Sequence, residues 1–252
     1  MKLTLYRVPG SHPSDAVEAA LKIKGLEYKR VDLLPVIHKG VMRAARFGGA
    51  TVPGLVIDGQ RMIGSRAIMR RLDELKPDPP LLPADPNLRA RVLDAETWGD
   101  EVLQPLARRI TWAALKRESG AMLSYVGDSR LHVPKPMLSP ATSPTAWAAG
   151  KVNKADDDNV RGDLQALPGH LDRIDGWIAD GVLGGESPNA ADLQIVSSLR
   201  LLSTVGDVRP LIEARPAAAL ITRYFPPAPG YVPAGALPTG WVPAVPSAAT
   251  PV

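Results

Sequence analysis

The chain has 252 residues, 45% of them hydrophobic and 5% aromatic, with 30 Lys and Arg against 26 Asp and Glu for a net charge of +4. This suffices for one large domain or two modest ones around a real core. The basic residues are scattered and the aromatics few, which argues against nucleic acid as a partner. The lack of cysteine excludes disulfides, thiolate metal sites and any mechanism needing the protein's own thiol.

Residues 2–6 alternate polar and apolar and predict a strand. An opening of this kind, with no basic, apolar leader and no apolar run of about 18 residues, predicts a cytoplasmic protein with no membrane partner. After a loop over 7–13, Val17, Ala20, Leu21 and Lys24 recur at helical spacing, and Gly25 is placed to end the helix. Residues 28–33 predict a second strand, parallel to the first because a helix connects them. One irregular helix is expected within 34–49. Residues 55–57 and 61–63 read as strands joined by Asp58-Gly59, a two-residue hairpin signal. Pro53 stands directly before the first of these, where a residue without an N–H needs a reason. Residues 65–76 form a helix with Ile68, Leu72 and Leu75 on one face.

Residues 77–86 hold five prolines and read as a linker. Residues 87–118 predict a long helix kinked at Pro105, and 133–144, rich in proline, a loop. Val160, Leu164, Leu167, Leu171, Ile174 and Ile178 step by three and four, with Pro168-Gly169 interrupting the pattern. Residues 190–202 are apolar on nearly all sides, as in a central buried helix. Asn189 and Asp192 form a capping-box variant at its start. Asp156–Asn159 lacks calcium-loop spacing and reads as acids at a helix N-terminus. The sequence has no GxSxG, HExxH or GxxxxGK[ST], and its four histidines lack ligand spacing, so no metal is expected. The expected units are an α/β domain over 1–76, the linker 77–86, an all-helical domain over 87–225, and a Pro/Gly-rich tail over 226–252. That tail is either structureless or a strap, with Tyr231 and Trp241 available to pack.

This order of elements resembles the cytosolic glutathione S-transferase superfamily over roughly residues 2–225. Three motifs carry the resemblance: Val52-Pro53 before the third strand, Gly64-Ser65-Arg66-Ala67-Ile68 at the third helix, and Asn189-Ala190-Ala191-Asp192 at the buried helix. It implies a thioredoxin-like N-terminal domain followed by an all-α C-terminal domain, a homodimer, and glutathione or another low-molecular-weight thiol as co-substrate. The implied reaction is attack of that thiol, held as a thiolate, on a small electrophile; the alternative is a non-catalytic binding or interaction protein of the same fold.

In serine-type members the thiolate donor is a hydroxyl six residues before a valine on the first helix, which is Ser11 here. Ser14 then reads as the helix N-cap, and a plainer alternative has both serines only satisfying loop and helix ends. Tyr6 reads as packed. His12 reads either as an exposed loop histidine or as a residue that tunes the thiol or meets a substrate carboxylate.

The resemblance implies a cis Val52-Pro53 peptide, with the Val52 backbone holding the cysteinyl unit, and Ser65 with the N–H of Arg66 binding the γ-glutamyl carboxylate at a helix N-terminus. Gly64 departs from the family's acidic or amide residue, removing a partner of the thiol's ammonium. Asp100 or Glu101 of a partner subunit is the expected replacement. Arg108 and Trp112, with Ile110, are candidates for the electrophile pocket, against a plain packing role.

Overall fold

The computed structural model describes residues 1–35, 37–127, 129–130 and 134–245. Four strands, β1 (Leu3–Arg7), β2 (Lys29–Asp32), β3 (Gly54–Ile57) and β4 (Gln60–Ile63), form one sheet in the order β2-β1-β3-β4. β1 and β2 are parallel, β1–β3 and β3–β4 antiparallel. The parallel pair is joined through α1 (His12–Ile23), and the β3–β4 hairpin turns at Asp58 (φ 46°) and Gly59 (φ 93°), the left-handed pair a type I′ turn needs. α2 (His38–Ala44) covers a small cluster of Val8, Leu33, Met42 and Phe47, and α3 (Ser65–Leu75) packs on α1.

The linker is held by Lys24, which is fully buried: its Nζ donates to Asp73 Oδ1 at 2.6 Å and to the Pro77 carbonyl at 3.1 Å, and also reaches the Pro79 carbonyl. Asp73 accepts in turn from the Leu81 N–H at 2.8 Å.

Beyond the linker the chain is helical. α4 (Pro86–Trp98) runs through a π-helical turn, Gly99–Leu103, into α5 (Gln104–Arg117). The wide turn sits just ahead of Pro105, which has no N–H to give the regular ladder. Gly99 is required there, since a Cβ would lie 2.8 Å from Ile195. A short helix, α6 (Met122–Tyr125), precedes α7 (Lys135–Val152), α8 (Asp157–Ala179) and α9 (Ala190–Leu202); α10 (Arg209–Glu213) and α11 (Ala217–Tyr224) follow. α9 is buried on almost every side and contacts α1, α4 and α5, so one continuous core runs from the sheet into the helices. Its capping box is present: Asn189 Oδ1 accepts from the N–H groups of Ala191 (2.9 Å) and Asp192 (3.1 Å), and Asp192 Oδ2 accepts from the Asn189 N–H (3.0 Å).

Two expectations are corrected, and of the two readings of the tail one is chosen. The stretch expected as a loop over 133–144 is helical from Lys135, and α7 passes through Pro140 and Pro144. Pro136, Pro140 and Pro144 share one exposed face, so the carbonyls they leave unpaired meet water, while Thr142, Ala146 and Ala149 are buried on the other. Residues 131–133, part of the same expectation, lie outside the described residues. α8 likewise continues through Pro168 rather than breaking there. The tail is a strap as far as residue 245: Val232 pairs with Thr204 and Gly206 (both 2.8 Å), and Trp241 lies 5.2 Å from the guanidinium groups of both Arg117 and Arg161. Among the described residues, no helix is long and apolar enough to cross a membrane.

Candidate functional site

A cleft of about 780 Å³ lies between the loop ends of the sheet and the walls of α5, α6 and α7. Ser11, His12, Val52, Pro53, Ser65, Arg108 and Trp112 all line it. A second hollow of about 410 Å³ beside α1 is ringed by charges, but they are spent on each other: Arg7 pairs with Glu18, and Arg200 with Asp15 at 2.8 Å. Chemistry that needs free polar groups therefore points to the larger cleft.

The first loop positions Ser11 as the N-cap residue of α1, a correction to the assignment of Ser14 as cap. Pro13 at the second helical position starts α1 two residues before Ser14, which is fully buried and donates its hydroxyl to Ser11 Oγ at 3.0 Å. Ser11 makes no side-chain capping bond. Its oxygen accepts from Ser14, so its own proton remains available to a ligand in the cleft.

The reading of His12 as an exposed loop residue is also corrected: it opens α1, is only 2% exposed, and neither ring nitrogen has a hydrogen-bond partner. Burial first, and the Arg108 charge second, hold its pKa well below the usual imidazole value, so the ring is neutral at physiological pH.

The Val52-Pro53 peptide is cis, and the Pro53 carbonyl accepts from the Gly64 N–H at 3.2 Å, tying the two halves of the motif region together. Gly64 is the N-cap residue of α3, with φ 89° and ψ 129°, and no side chain caps this helix. The N–H groups of its first turn therefore lack side-chain partners, as an anion site requires. The Arg66 side chain is not part of the cleft lining; it donates to Thr97 Oγ1 at 2.7 Å and lies 3.8 Å from Asp100.

Beneath Ser65 runs a polar chain that periodicity alone does not reveal. Ser65 Oγ donates to Gln194 Oε1 at 2.9 Å, Gln194 Nε2 to Gln104 Oε1 at 2.9 Å, and Gln104 Nε2 to Asp100 Oδ1 at 3.1 Å. Gln194 is fully buried in α9, and the chain gives it its partners. Asp100 lines the cleft of its own chain. Burial raises its pKa, with Glu101 adding to the shift and Arg66, Arg108 and Gln104 opposing it. Glu101 is exposed and outside the cleft lining.

On α5, Arg108, Trp112 and Leu115 recur at one-turn spacing and face the cleft, whereas Ile110 is buried in the core. Arg109 is held by a two-pronged contact with Asp163 at 2.6 and 2.7 Å. Tyr125 also lines the cleft, its hydroxyl 2.6 Å from Thr204 Oγ1, and burial pushes its pKa up to about 12, keeping it a neutral phenol. Neither Tyr125 nor the α7 wall was foreseen, the latter because its prolines masked a helix.

Residues 5–80 match the family model of the glutathione S-transferase N-terminal domain. A probable maleylacetoacetate isomerase of Caenorhabditis elegans is 37% identical over 122 residues, 47% of this chain and 56% of that protein. Glutathione S-transferase Z2 of Arabidopsis thaliana is 41% identical over 95 residues, 35% of this chain and 41% of that protein. The chain thus matches about half the length of these curated relatives or less. Among solved structures, a glutathione S-transferase from Rhodospirillum rubrum superposes with a TM-score of 0.62 at 22% identity, covering 88% of this chain and 86% of that one. The beta-etherase LigF from Sphingobium superposes at 0.65 and 21% identity, covering 88% and 94%. These superpositions bear on the fold alone: a four-stranded α/β unit followed by a helical one. The family-model match gives residues 5–80 as a glutathione S-transferase N-terminal domain, and the superpositions give the chain as a whole the glutathione S-transferase fold.

Proposed function

We propose that the protein transfers a low-molecular-weight thiol, glutathione or a close relative, to a small electrophile. In this reading Ser11 donates to the thiolate, lowering the thiol's pKa from about 8.5 toward neutrality with help from the positive end of α1. The Val52 backbone holds the cysteinyl unit next to Pro53. The backbone N–H groups of Ser65 and Arg66 take the γ-glutamyl carboxylate, and Asp100, in the cleft wall, takes the place of the acid missing at Gly64. His12 sits beside the thiol, and Arg108 and Trp112 face the electrophile. The chain works as a cytoplasmic homodimer with domains over 1–76 and 87–225, and needs no metal.

The observation that carries this reading is the convergence of Ser11, with a free hydroxyl proton, Val52-Pro53 and Ser65 on one cleft. Gly64 favours a second reading, a non-catalytic member of the fold, since it removes an acidic ligand. Retention on immobilised glutathione, calorimetry with glutathione, and titration of the bound thiol by its ultraviolet absorbance separate the two. The expected result is binding, with the bound thiol's pKa rising by roughly one to two units in Ser11→Ala, the loss of one hydrogen bond to an anion. A folded protein that binds no thiol sinks the transfer reading; an unchanged thiol pKa in Ser11→Ala sinks the role of Ser11.

A further inference from the structure

Arg108 and His12, both lining the cleft, make no side-chain hydrogen bond among the described residues. Arg108 lines the cleft and has no hydrogen bond or ion pair among the described residues, while its neighbour Arg109 is fully engaged by Asp163. A guanidinium stays charged, and this one, sunk in a largely apolar wall, feels Asp100 only through space and has no hydrogen-bonded acceptor, so an anion that docks on it would offset the cost of its burial. His12 is buried, lines the same cleft, and has no partner for either nitrogen. Trp112 and Leu115, one and two turns along α5 from Arg108, make the adjacent surface apolar.

We propose that Arg108 and His12 form a carboxylate subsite, so that the electrophile accepted by this cleft is a small apolar molecule bearing one carboxylate. The proposal rests on the thiol-transfer reading for the word electrophile, but not for the anion site itself. A guanidinium fork matches the two oxygens of a carboxylate in plane. The imidazole N–H adds a third donor, while the second ring nitrogen stays uncharged. The single charge of the guanidinium meets the single charge of the carboxylate. The apolar body of the ligand then lies on Trp112 and Leu115.

The carboxylate has two conceivable sources, the electrophile and the thiol itself, and the test separates them. The full chain is titrated calorimetrically, without thiol, with dinitrobenzoate and with uncharged dinitrobenzene, and separately with glutathione. The expected result is dinitrobenzoate bound roughly ten- to a hundredfold more tightly than dinitrobenzene. Arg108→Gln should abolish that preference, bringing dinitrobenzoate down to the affinity of dinitrobenzene, while leaving glutathione affinity unchanged, and Arg108→Lys should keep part of it. His12→Gln should weaken dinitrobenzoate by roughly two- to tenfold.

Equal affinity for the two aromatic compounds in the unaltered protein overturns the proposal without recourse to any variant. So does a preference that survives in Arg108→Gln, or an Arg108→Gln effect confined to glutathione, which would give Arg108 to the thiol's carboxylate. Dinitrobenzoate binding through Arg108 in a protein that ignores glutathione supports the anion site and removes the transfer reading.

Discussion

Two basic side chains sit deep in this molecule and meet opposite fates. Lys24, at the junction of sheet and linker, has no exposed surface and three oxygens around its ammonium. Arg108, in the cleft wall, has no hydrogen-bond or ion-pair partner among the described residues. A buried charge with its partners in place is part of the architecture; one without them is a request for a ligand. The same division separates Asp192, spent on the N–H groups of Asn189 and Gly184, from His12, whose ring nitrogens are bonded to nothing.

The sharpest way to break this comparison is at the junction. Lys24→Met keeps the length of the stem but strands Asp73 and the linker carbonyls, and is expected to cost about 3–5 kcal/mol. Denaturant unfolding measures it, and a loss below about 1 kcal/mol would show that the clamp is incidental. Arg108→Met, by contrast, removes a charge that has no hydrogen-bonded partner and should leave the same measurement unchanged or raised.

A somewhat smaller effect is expected from Asp192, whose pKa burial raises from 3.8 to about 6, against the opposing pull of its two backbone hydrogen bonds. The folded state holds this proton more tightly than the unfolded chain does, so its contribution to stability is greatest below the unfolded value and declines as pH rises through 4 to 6. The decline amounts to about 3 kcal/mol, two pKa units at 1.36 kcal/mol each. Asp192→Asn should flatten that slope while losing about 1 kcal/mol of capping. Urea midpoints across this pH range read both effects, and an unaltered slope would place the titration elsewhere.

What could be read in advance divides along the same line. The capping box at Asn189 and Asp192, the Asp58-Gly59 hairpin and the stop at Gly25 are local: each is set by a few neighbouring residues whose backbone needs are written in their own side chains. The misreadings all involve context. Pro136, Pro140 and Pro144 spell a loop until their four-residue spacing is seen to put them on one wet face of α7. His12 reads as a loop residue until α1 opens on it, three residues before the start at Asp15 that a cap at Ser14 would give. The line from Ser65 through Gln194 and Gln104 to Asp100 joins three segments more than thirty residues apart, which no periodicity reports. The site was legible as a set of motifs, but the state of its partners was not.

The finest test falls on Gly64, which stands where the glutathione S-transferases that the sequence resembles carry an acidic or amide residue. The backbone there is at φ 89°, a conformation that favours glycine, although no heavy atom lies within 4 Å of where a Cβ would stand. A Cβ there therefore costs backbone strain of about 1–3 kcal/mol and nothing in crowding. Gly64→Ala measures that strain alone, and Gly64→Glu adds the carboxylate to it. If the thiol's ammonium now lacks a partner, Gly64→Glu should bind glutathione roughly ten- to a hundredfold more tightly than Gly64→Ala, at equal cost in stability. Equal affinities would mean that Asp100, already in the cleft of the same chain, holds the ammonium, and Asp100→Asn should then weaken glutathione by a similar factor. If neither change moves the affinity, the thiol this cleft was shaped for carries no ammonium at that position.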